Sequence, residues 1–226
     1  MDNLGDRMKT YEKAFSHILP IRMPVIVRLD GKAFHTLTRN IEPFDDKIQT
    51  AMNATSLKLC EEMQNAVFAY SQSDEISILM HPYKKLESEP WFGNDLAKIV
   101  SITAAIASTT FSQVYSKIAY FDSRVFVLPE ADVCNYFVWR QKDWIRNSVQ
   151  MLARSLYSHN QLLNKNTEEL HELIFMAGKN WADLPLHNKN GIMIIKNPIW
   201  EWQPASIFTQ NRSLIEDLLK INQEST

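Results

Sequence analysis

The stretch AVFAYSQSDEISILM, residues 66–80, decides the fold of this chain. Its two ends, Ala66 to Tyr70 and Ile76 to Met80, are rich in β-branched, aromatic and other apolar residues, which is typical of short buried strands. The residues between them are polar and end in Asp74 and Glu75. The stretch therefore predicts a β-hairpin with acidic residues at its tip.

Segments on either side of the hairpin supply the rest of a small sheet. Upstream, Val25 to Leu29 predicts a buried strand, and residues 45–64 predict a helix capped by two aspartates. Downstream, Leu96 to Ser116 predicts a long helix and Ala119 to Leu128 a further strand. Residues 1–129 thus have the order βαββαβ, which predicts an α+β, ferredoxin-like fold with an antiparallel sheet and helices on one face.

The pattern changes to helical spacing from Glu130 onward. Residues 131–157 predict a long helix, and a second helix follows from Thr167, as its N-cap, to Ala177. Two short strand-like segments, residues 192–196 and 199–202, predict a small hairpin. Residues 213–221 predict a last helix. We therefore expect a catalytic domain at residues 1–129 and a mainly helical C-terminal region at residues 130–226 that packs on it.

The composition excludes several common kinds of protein. The five glycines form neither a G-x-G-x-x-G motif nor a P-loop, so a nucleotide would need another cradle. Two cysteines, Cys60 and Cys134, are too few for a disulfide framework and match no zinc spacing, which favours a reducing compartment. Residues 1–15 lack the apolar core of a signal peptide, and the uncharged run 99–116 is rich in Ser and Thr. We expect a cytoplasmic protein without membrane contact.

Acidic residues mark the place where the first strand and the hairpin would meet. In the βαββαβ order the first strand lies beside the hairpin strands, so Asp30 at its end can approach Asp74 and Glu75. Mg²⁺ is typically held by one or two carboxylates together with substrate phosphates, and two such ions can catalyse a phosphoryl displacement. The alternative is that these acidic residues simply occupy a strand end and a turn.

Phosphate binding has three candidates near these carboxylates. Gly31 lacks a side chain, so a triphosphate could approach the backbone there and bind to amide groups, although a plain turn after the strand is the alternative. Arg28 and Lys98 are possible phosphate partners. Each could equally be a solvated charge.

The segment 139–165 is positive in a chain whose net charge is -2. It carries five basic residues and one acidic residue, and Lys142 and Arg146 lie one helical turn apart. Such a surface can hold a nucleic-acid backbone, and a solvated helix face is the alternative. The candidate RNA contacts are Arg140, Lys142, Arg146, Asn147 and Arg154.

Several motifs resemble the tRNA(His) guanylyltransferase family. They are VRLDGKAFH at residues 27–35, AYSQSDEIS at 69–77 and WRQKD at 139–143. The segments DRMKTYE, residues 6–12, and WFGN, residues 91–94, resemble the guanylyltransferase-like branch found in bacteria, archaea and phages. The resemblance runs in order and spacing from about residue 6 to residue 160.

This resemblance implies a polymerase-like palm that extends tRNA in the 3′-to-5′ direction. In the family, the 5′-monophosphate of tRNA is activated with ATP or GTP, and the 3′-hydroxyl of an incoming nucleoside triphosphate then attacks it. By position, Asp30, Asp74 and the Gly31 carbonyl would hold two Mg²⁺ ions, with Glu75 assisting catalysis. The family also implies a homotetramer built as a dimer of dimers. The implied nucleotide-binding residues are Asp30, Gly31, Lys32, Ala33, Phe34, His35, Ser73, Asp74 and Lys98.

The chain departs from the family pattern at three positions. Ile145 stands where the eukaryotic enzymes carry an activating histidine, Glu42 stands in place of a lysine, and Asp95 in place of an arginine. These departures favour templated repair of 5′-truncated tRNA over addition of a single guanylate to tRNA(His), which is the alternative. A palm-type nucleotide cyclase and a non-catalytic RNA-binding module are further alternatives.

Overall fold

The structure is a computed structural model that describes residues 3–85 and 87–221. The outermost ends of the two predicted domains, residues 1–2 and 222–226, lie outside the described residues. The strands are β1 (Val25–Gly31), β2 (Ala66–Gln72), β3 (Glu75–Met80), β4 (Phe121–Val127), β5 (Ile192–Lys196) and β6 (Trp200–Pro204). The helices are α1 (Leu4–Ala14), α2 (Phe34–Leu37), α3 (Asp46–Glu62), α4 (Leu96–Tyr115), α5 (Glu130–Leu156), α6 (His159–Leu162), α7 (Thr167–Met176), α8 (Leu186–Asn190) and α9 (Ser213–Glu216).

The strands form one antiparallel sheet of six strands in the order β4-β1-β3-β2-β5-β6. The first four strands in this order, with α3 and α4 between them in sequence, make the predicted βαββαβ arrangement, so the α+β, ferredoxin-like fold is confirmed. The predicted C-terminal hairpin also forms, and it extends the same sheet beyond β2. The division at residue 129 stays a prediction.

Successive side chains of β1 point to opposite faces of the sheet and contribute to a different part of the core on each face. Val25, Val27 and Leu29 pack with α3 and α4, whereas Ile26 packs with residues of α5 and the C-terminal segment. Asp30 shares the parity of Ile26 and therefore belongs to the α5 face. Helices cover both faces once α5 is included.

Helix α5 continues beyond the edge of the sheet and carries a third small core. Its last turns pack through Val149 and Leu152 against Leu170 and Ile174 of α7. Phe44, from the loop before α3, packs against the same cluster. A helix of this length spans about 40 Å, so one rigid element joins the sheet to the helical C-terminal part.

Several element boundaries differ from the prediction. β1 runs through Asp30 to Gly31, and the hairpin turn is only Ser73-Asp74, because Ser71 and Gln72 stay buried in β2. Asn166, rather than Thr167, caps α7. The last predicted helix is shorter, since α9 passes into a 3₁₀ turn over Asp217–Leu219. Helix α1 was not predicted, and it has no buried residue.

Within the described part of the chain, no helix is both long and apolar enough to cross a membrane. The buried cysteines, Cys60 and Cys134, are both free thiols.

Candidate active site

A cleft of about 630 Å³ opens at the edge of the sheet where β1 ends and the hairpin turns. The end of β1 and α2 form one side, and the hairpin turn forms its floor. The loop of residues 38–45, α3, the last turns of α5 and α8 complete the wall. The cleft therefore lies between the sheet and the helical part of the chain.

The structure brings Asp30 and Asp74 together at this cleft. The backbone N–H of Gly31 donates to the carbonyl oxygen of Asp74 at 3.0 Å, and Asp30 lies opposite Glu75 in the β1–β3 register. Asp30 and Asp74 both line the cleft. The predicted approach of these two carboxylates is thus present, although they are separated by much of the N-terminal sequence.

Asp74 is held in an environment that disfavours its negative charge. Burial and then the negative charge of Asp30 raise the pKa of Asp74 from its usual 3.8 to about 6, against an opposing hydrogen bond from the side chain of Ser73. Ser73 itself has a φ of 51°, which is uncommon for a residue other than glycine. Strained backbone and a shifted carboxyl pKa are both typical of functional sites.

The acidic end of the cleft suits a divalent cation. A bound cation would relieve both the burial of Asp74 and its repulsion by Asp30, and Mg²⁺ needs only one or two carboxylates when substrate phosphates supply other ligands. Within residues 3–85 and 87–221, no group of three or more His, Cys, Asp or Glu side chains is placed to hold a metal. The two carboxylates therefore fit Mg²⁺ bound together with a nucleotide.

Glu75 does not line the cleft, so the geometry does not support its predicted part in catalysis. Its side chain is 5% exposed and accepts hydrogen bonds from Arg140 at 2.6 and 2.7 Å. Arg28 forms a further ion pair with Glu75 at 2.6 Å. The carboxylate is therefore fully engaged by two guanidinium groups, and it positions the hairpin relative to α5 rather than contacting a substrate.

The same ion pairs correct two predicted ligand contacts. Arg140 is 4% exposed and also pairs with Asp143 at 3.2 Å, so it is not a surface contact for RNA. Arg28 was expected to bind phosphate, but its guanidinium is held by Glu75 and it does not line the cleft. Both arginines neutralise a buried carboxylate, a function that spacing alone does not reveal.

The remaining candidate RNA contacts on α5 differ in their exposure to solvent and in whether Asp143 already pairs with them. Arg146 pairs with Asp143, and Asn147 donates to the same carboxylate at 3.3 Å. Lys142 is exposed on the helix surface, and Arg154 is exposed at the wall of the cleft. Of the five, Arg154 alone lines the cleft, and Lys142 is open to solvent about 18 Å away along the same helix.

The close packing of an aromatic ring against the backbone explains why residue 31 is a glycine. A Cβ atom at this position would lie 2.3 Å from the ring of Phe34, which packs edge-to-face on Phe111 and Phe121. The amide groups expected to bind phosphate are already used, since Gly31 donates to Asp74 and Lys32 donates to the carbonyl of Tyr120. Packing against Phe34 thus accounts for the glycine, and a part of Gly31 in phosphate binding stays a prediction.

Lys98 lies far from the carboxylates, at the opposite end of the sheet. It sits in the first turns of α4, where Asn94 contacts the carbonyl groups of residues 19 and 20 just before β1. Phe111, later in α4, is the residue that contacts Phe34 beside the cleft. Lys98 is about 20 Å from Phe111 along the helix, so the geometry of a single chain does not support its predicted contact with a triphosphate at Asp30.

The sequence analysis missed much of the cleft wall. Gln49, Met52 and Asn53 line it from α3 at spacings of three and four residues, which place them on one helix face. His187 and Asn188 of α8 line it from the C-terminal part. The helical spacing on α3 was visible in the sequence, whereas the approach of α8 depends on tertiary packing.

Acidic side chains outnumber basic ones in the wall of the cleft. Its wall contains four carboxylates, those of Asp30, Glu42, Asp45 and Asp74, and among the described residues Arg154 is its one lysine or arginine. Asp45 also caps α3, accepting hydrogen bonds from the amides of residues 47 and 48. A triphosphate would be repelled by this wall unless cations accompany it.

The βαββαβ sheet with a cleft at its edge is the fold of a family of nucleotidyltransferases. The model of the tRNA(His) guanylyltransferase (Thg1) family matches residues 5–129, and the chain belongs to this family. The family resemblance stated from the motifs is thereby confirmed.

Solved structures and curated relatives agree with this assignment. A bacterial tRNA(His) guanylyltransferase (Thg1)-like protein in complex with ATP is 41% identical and has a TM-score of 0.93, covering 96% of this chain and 99% of its own. A second such protein, in complex with GTP, is 38% identical with a TM-score of 0.82 and the same coverage. The probable tRNA(His) guanylyltransferase of Drosophila melanogaster is 27% identical over 85% of this chain and 73% of its own.

Proposed function

We propose that this enzyme repairs the 5′ ends of tRNA by templated addition of nucleotides in the 3′-to-5′ direction. The observation that carries the proposal is the meeting of Asp30 and Asp74 at the cleft, with the pKa of Asp74 raised to about 6. This arrangement favours phosphoryl transfer assisted by divalent cations. Ile145, which stands where a histidine is expected, favours repair over addition of one guanylate to tRNA(His).

The proposed metal site takes two Mg²⁺ ions on Asp30, Asp74 and the carbonyl of Gly31. When bound, the ions neutralise phosphate charge and favour the alkoxide of the attacking 3′-hydroxyl. The chain itself contributes the orientation of the two carboxylates. Gly31 and Asp74 are fixed to each other by a backbone hydrogen bond of 3.0 Å, and the Glu75–Arg140 pair fixes the hairpin against α5.

ATP, GTP and other nucleoside triphosphates are the proposed small substrates. The bacterial relatives solved with ATP and GTP support this proposal. The turn after β1, with Ala33 in the left-handed region at a φ of 55°, presents residues 33–35 to the cleft. Ser73 reaches the same cleft from the hairpin. These residues, together with Lys32, remain the proposed nucleotide contacts.

The proposed tRNA surface is the outer side of α5 and the mouth of the cleft. Lys142 and Arg146 are exposed on the helix, and Arg154 lies where the helix meets the cleft. Phosphate contacts from such residues position an RNA without reading its sequence. The tRNA 5′ end would then enter the cleft past Arg154, the cation of its otherwise acidic wall.

We further propose a homotetramer, arranged as a dimer of dimers, in the cytoplasm. The exposed apolar side chains on α1, Leu4, Met8 and Tyr11, support association because large exposed apolar groups favour interfaces. The two free buried thiols support a reducing compartment. We also keep the proposal that residues 1–129 form the catalytic unit.

The decisive experiment uses tRNAs shortened by one to three nucleotides at the 5′ end, incubated with the enzyme, Mg²⁺ and the four nucleoside triphosphates. Sequencing of the products should show added nucleotides complementary to the acceptor strand. Extension of tRNA(His) alone, by one guanylate whatever the template, would overturn repair and support the alternative. Cyclic nucleotides formed without RNA would instead identify a cyclase.

A further inference from the structure

The carboxylate of Asp143 on α5 joins the exposed surface of this helix to its buried side. It accepts hydrogen bonds from Arg140 at 3.2 Å and from Asn147 at 3.3 Å, and it pairs with Arg146. The Arg140 side chain is buried, whereas that of Arg146 is 58% exposed. Asp143 does not line the cleft. One carboxylate outside the cleft thus holds a buried and an exposed guanidinium at the same time.

The guanidinium of Arg140 is shared between two carboxylates. Its Nη2 donates to Glu75 Oε2 at 2.7 Å and to Asp143 Oδ2 at 3.2 Å. Glu75 also pairs with Arg28, so two guanidinium groups face this one carboxylate, and Asp143 supplies a second negative charge. A nitrogen that donates to two carboxylates moves toward the one that carries more uncompensated charge. Arg140 Nη2 therefore has two arrangements available, one closer to Glu75 and one closer to Asp143.

The negative charge of Glu75 reaches the acidic end of the cleft. Glu75 follows Asp74 in the chain and lies opposite Asp30 in the β1–β3 register. Burial and the charge of Asp30 raise the pKa of Asp74, and the charge of Glu75 adds to the same effect. A cation held by Asp30 and Asp74 would be attracted by any part of the Glu75 charge that Arg140 leaves uncompensated.

Arg146 controls how strongly Asp143 attracts Arg140. Its exposed guanidinium neutralises Asp143 from the solvent side. Arg146 belongs to the proposed tRNA surface, and an RNA phosphate would compete with Asp143 for this guanidinium. Asp143 would then lose its exposed cation and keep Arg140 as its buried one.

We propose that Asp143 is a positioning residue that couples tRNA binding at Arg146 to metal binding at the two cleft carboxylates. A phosphate that draws Arg146 away from Asp143 shifts Nη2 of Arg140 toward Asp143. Glu75 then keeps more of its negative charge, and the cleft carboxylates bind a divalent cation more tightly. Coupling between two sites is reciprocal, so tRNA binding is strengthened by the same factor when the cation is bound. This inference rests on the proposed function, because that function places RNA and metal at these two sites.

The first test measures metal binding without RNA, with Mn²⁺ as the probe and the electron paramagnetic resonance signal of the free ion as the readout. Arg146→Ala leaves Asp143 without its exposed partner, which reproduces the arrangement expected with RNA bound. We expect Mn²⁺ affinity to rise about fivefold, at the lower end of typical couplings. Adding Asp143→Asn to this variant should remove the gain. A merely structural defect would weaken Mn²⁺ binding, so a gain separates coupling from a structural effect.

Lys142→Ala is the matched control for this measurement. It removes one exposed positive charge from the same helix, and the Lys142 ammonium pairs with no carboxylate in the described part of the chain. We expect its Mn²⁺ affinity to equal that of the wild type. A gain as large as that of Arg146→Ala would overturn the inference, because net charge alone would then explain both.

The second test measures the affinity of a shortened, 5′-phosphorylated tRNA with and without Mn²⁺. We expect Mn²⁺ to strengthen binding about fivefold more in the wild type than in Asp143→Asn. Metal bound by the RNA itself contributes equally to both proteins. Equal Mn²⁺ effects in the two proteins would overturn the inference, as would unchanged or lower Mn²⁺ affinity in Arg146→Ala, which alone decides if Asp143→Asn fails to fold. An enzyme that shows the coupling but never extends a shortened tRNA would instead overturn the proposed function.

Discussion

Arg140 donates two hydrogen bonds to Glu75, at 2.6 and 2.7 Å, and joins α5 to the hairpin whose turn carries Asp74. Both side chains are 5% exposed, and Arg28 pairs with the same carboxylate from β1. Three elements that surround the cleft therefore meet at one buried carboxylate. Neither Glu75 nor Arg140 lines the cleft. The pair therefore supports the surrounding elements instead of contacting a ligand in the cleft.

Removal of one partner should destabilise the fold strongly. Glu75→Ala leaves the buried guanidinium of Arg140 and the partly buried one of Arg28 without this carboxylate, and we expect a loss of about 3–5 kcal/mol in the free energy of unfolding. Urea denaturation measures this change in the free energy of unfolding. The matched control is Glu62→Ala, which breaks the exposed pair with Lys58 and should cost about 0–1 kcal/mol. Equal effects in the two variants would contradict a supporting function for Glu75.

Loss of either cleft carboxylate should abolish nucleotide transfer while the protein stays folded. We expect Asp30→Asn and Asp74→Asn to show no Mg²⁺-dependent extension of a shortened tRNA, because each substitution removes a proposed anionic ligand. Circular dichroism checks the fold, and Asp217→Asn, an exposed aspartate near the C-terminal end, serves as the control. Near wild-type activity in either cleft variant would remove the metal assignment.

The raised pKa of Asp74 predicts two effects of pH. The folded state binds a proton between about pH 4 and pH 6 that the unfolded chain has released, so in the absence of metal this group lowers stability as the pH rises through that window. We expect Asp74→Asn to lack this part of the pH dependence of unfolding. Mg²⁺ must displace the same proton, so its apparent affinity should fall about tenfold per unit below pH 6.

Both pH effects are measured on one protein preparation. Thermal unfolding without metal between pH 4 and pH 7 gives the first, and the Mg²⁺ concentration for half-maximal activity gives the second. Asp30→Asn should lower the pKa of Asp74 because it removes the neighbouring negative charge. An unchanged Asp74 titration in that variant would show that the two carboxylates do not interact.

Gly31→Ala should destabilise the protein through Phe34. The added Cβ would lie 2.3 Å from the phenylalanine ring, and such overpacking typically costs about 1–3 kcal/mol. A double variant with Phe34→Leu should recover part of this loss, which a phosphate-binding explanation does not predict. Gly5→Ala in the exposed helix α1 is the control, and its unfolding free energy should not fall.

Arg154→Ala should weaken tRNA binding without affecting nucleotide binding to the same degree. Its guanidinium is at the cleft wall and its hydrogen bond to Gln150 is long, at 3.5 Å, so it is free to contact phosphate. We expect the slope of log affinity against log salt to fall by about one unit. Arg212→Ala is the control, since Arg212 pairs with Glu216 near the C-terminal end of the chain. Equal salt slopes in wild type and Arg154→Ala would exclude the contact.

Local patterns were sufficient for most of the fold. The apolar, β-branched run Ile76 to Met80 and the two aspartates at the start of α3 specify a strand and a helix start with little help from tertiary structure. The approach of Asp30 to Asp74 followed from the βαββαβ order alone. Glu75 and Arg140 were misassigned because charged side chains look alike in sequence, whether they face solvent or each other.

The missed parts of the site depend on contacts between distant segments. Trp144 of α5 and Asn53 of α3 line the same cleft although they are distant in sequence. Lys98 was misplaced because a helix start can lie at either end of a sheet until the chain direction is traced. The packing reason for Gly31 was missed because the ring that fills its space comes from Phe34, whose side-chain orientation the sequence does not reveal.

The addition of β5 beside β2 has a consequence for synthesis on the ribosome. A nascent chain that stops before Gly191 would leave the β2 edge unpaired, since Ala69, Tyr70 and Ser71 pair with β5. Open strand edges recruit other chains and promote aggregation. Gly191 also lines the cleft, where a Cβ would lie 2.7 Å from Tyr70. Gly191, the last residue of the cleft wall, is therefore added to the nascent chain long after Asp30 and Asp74, and a product that ended before it would lack part of the cleft and expose the β2 edge.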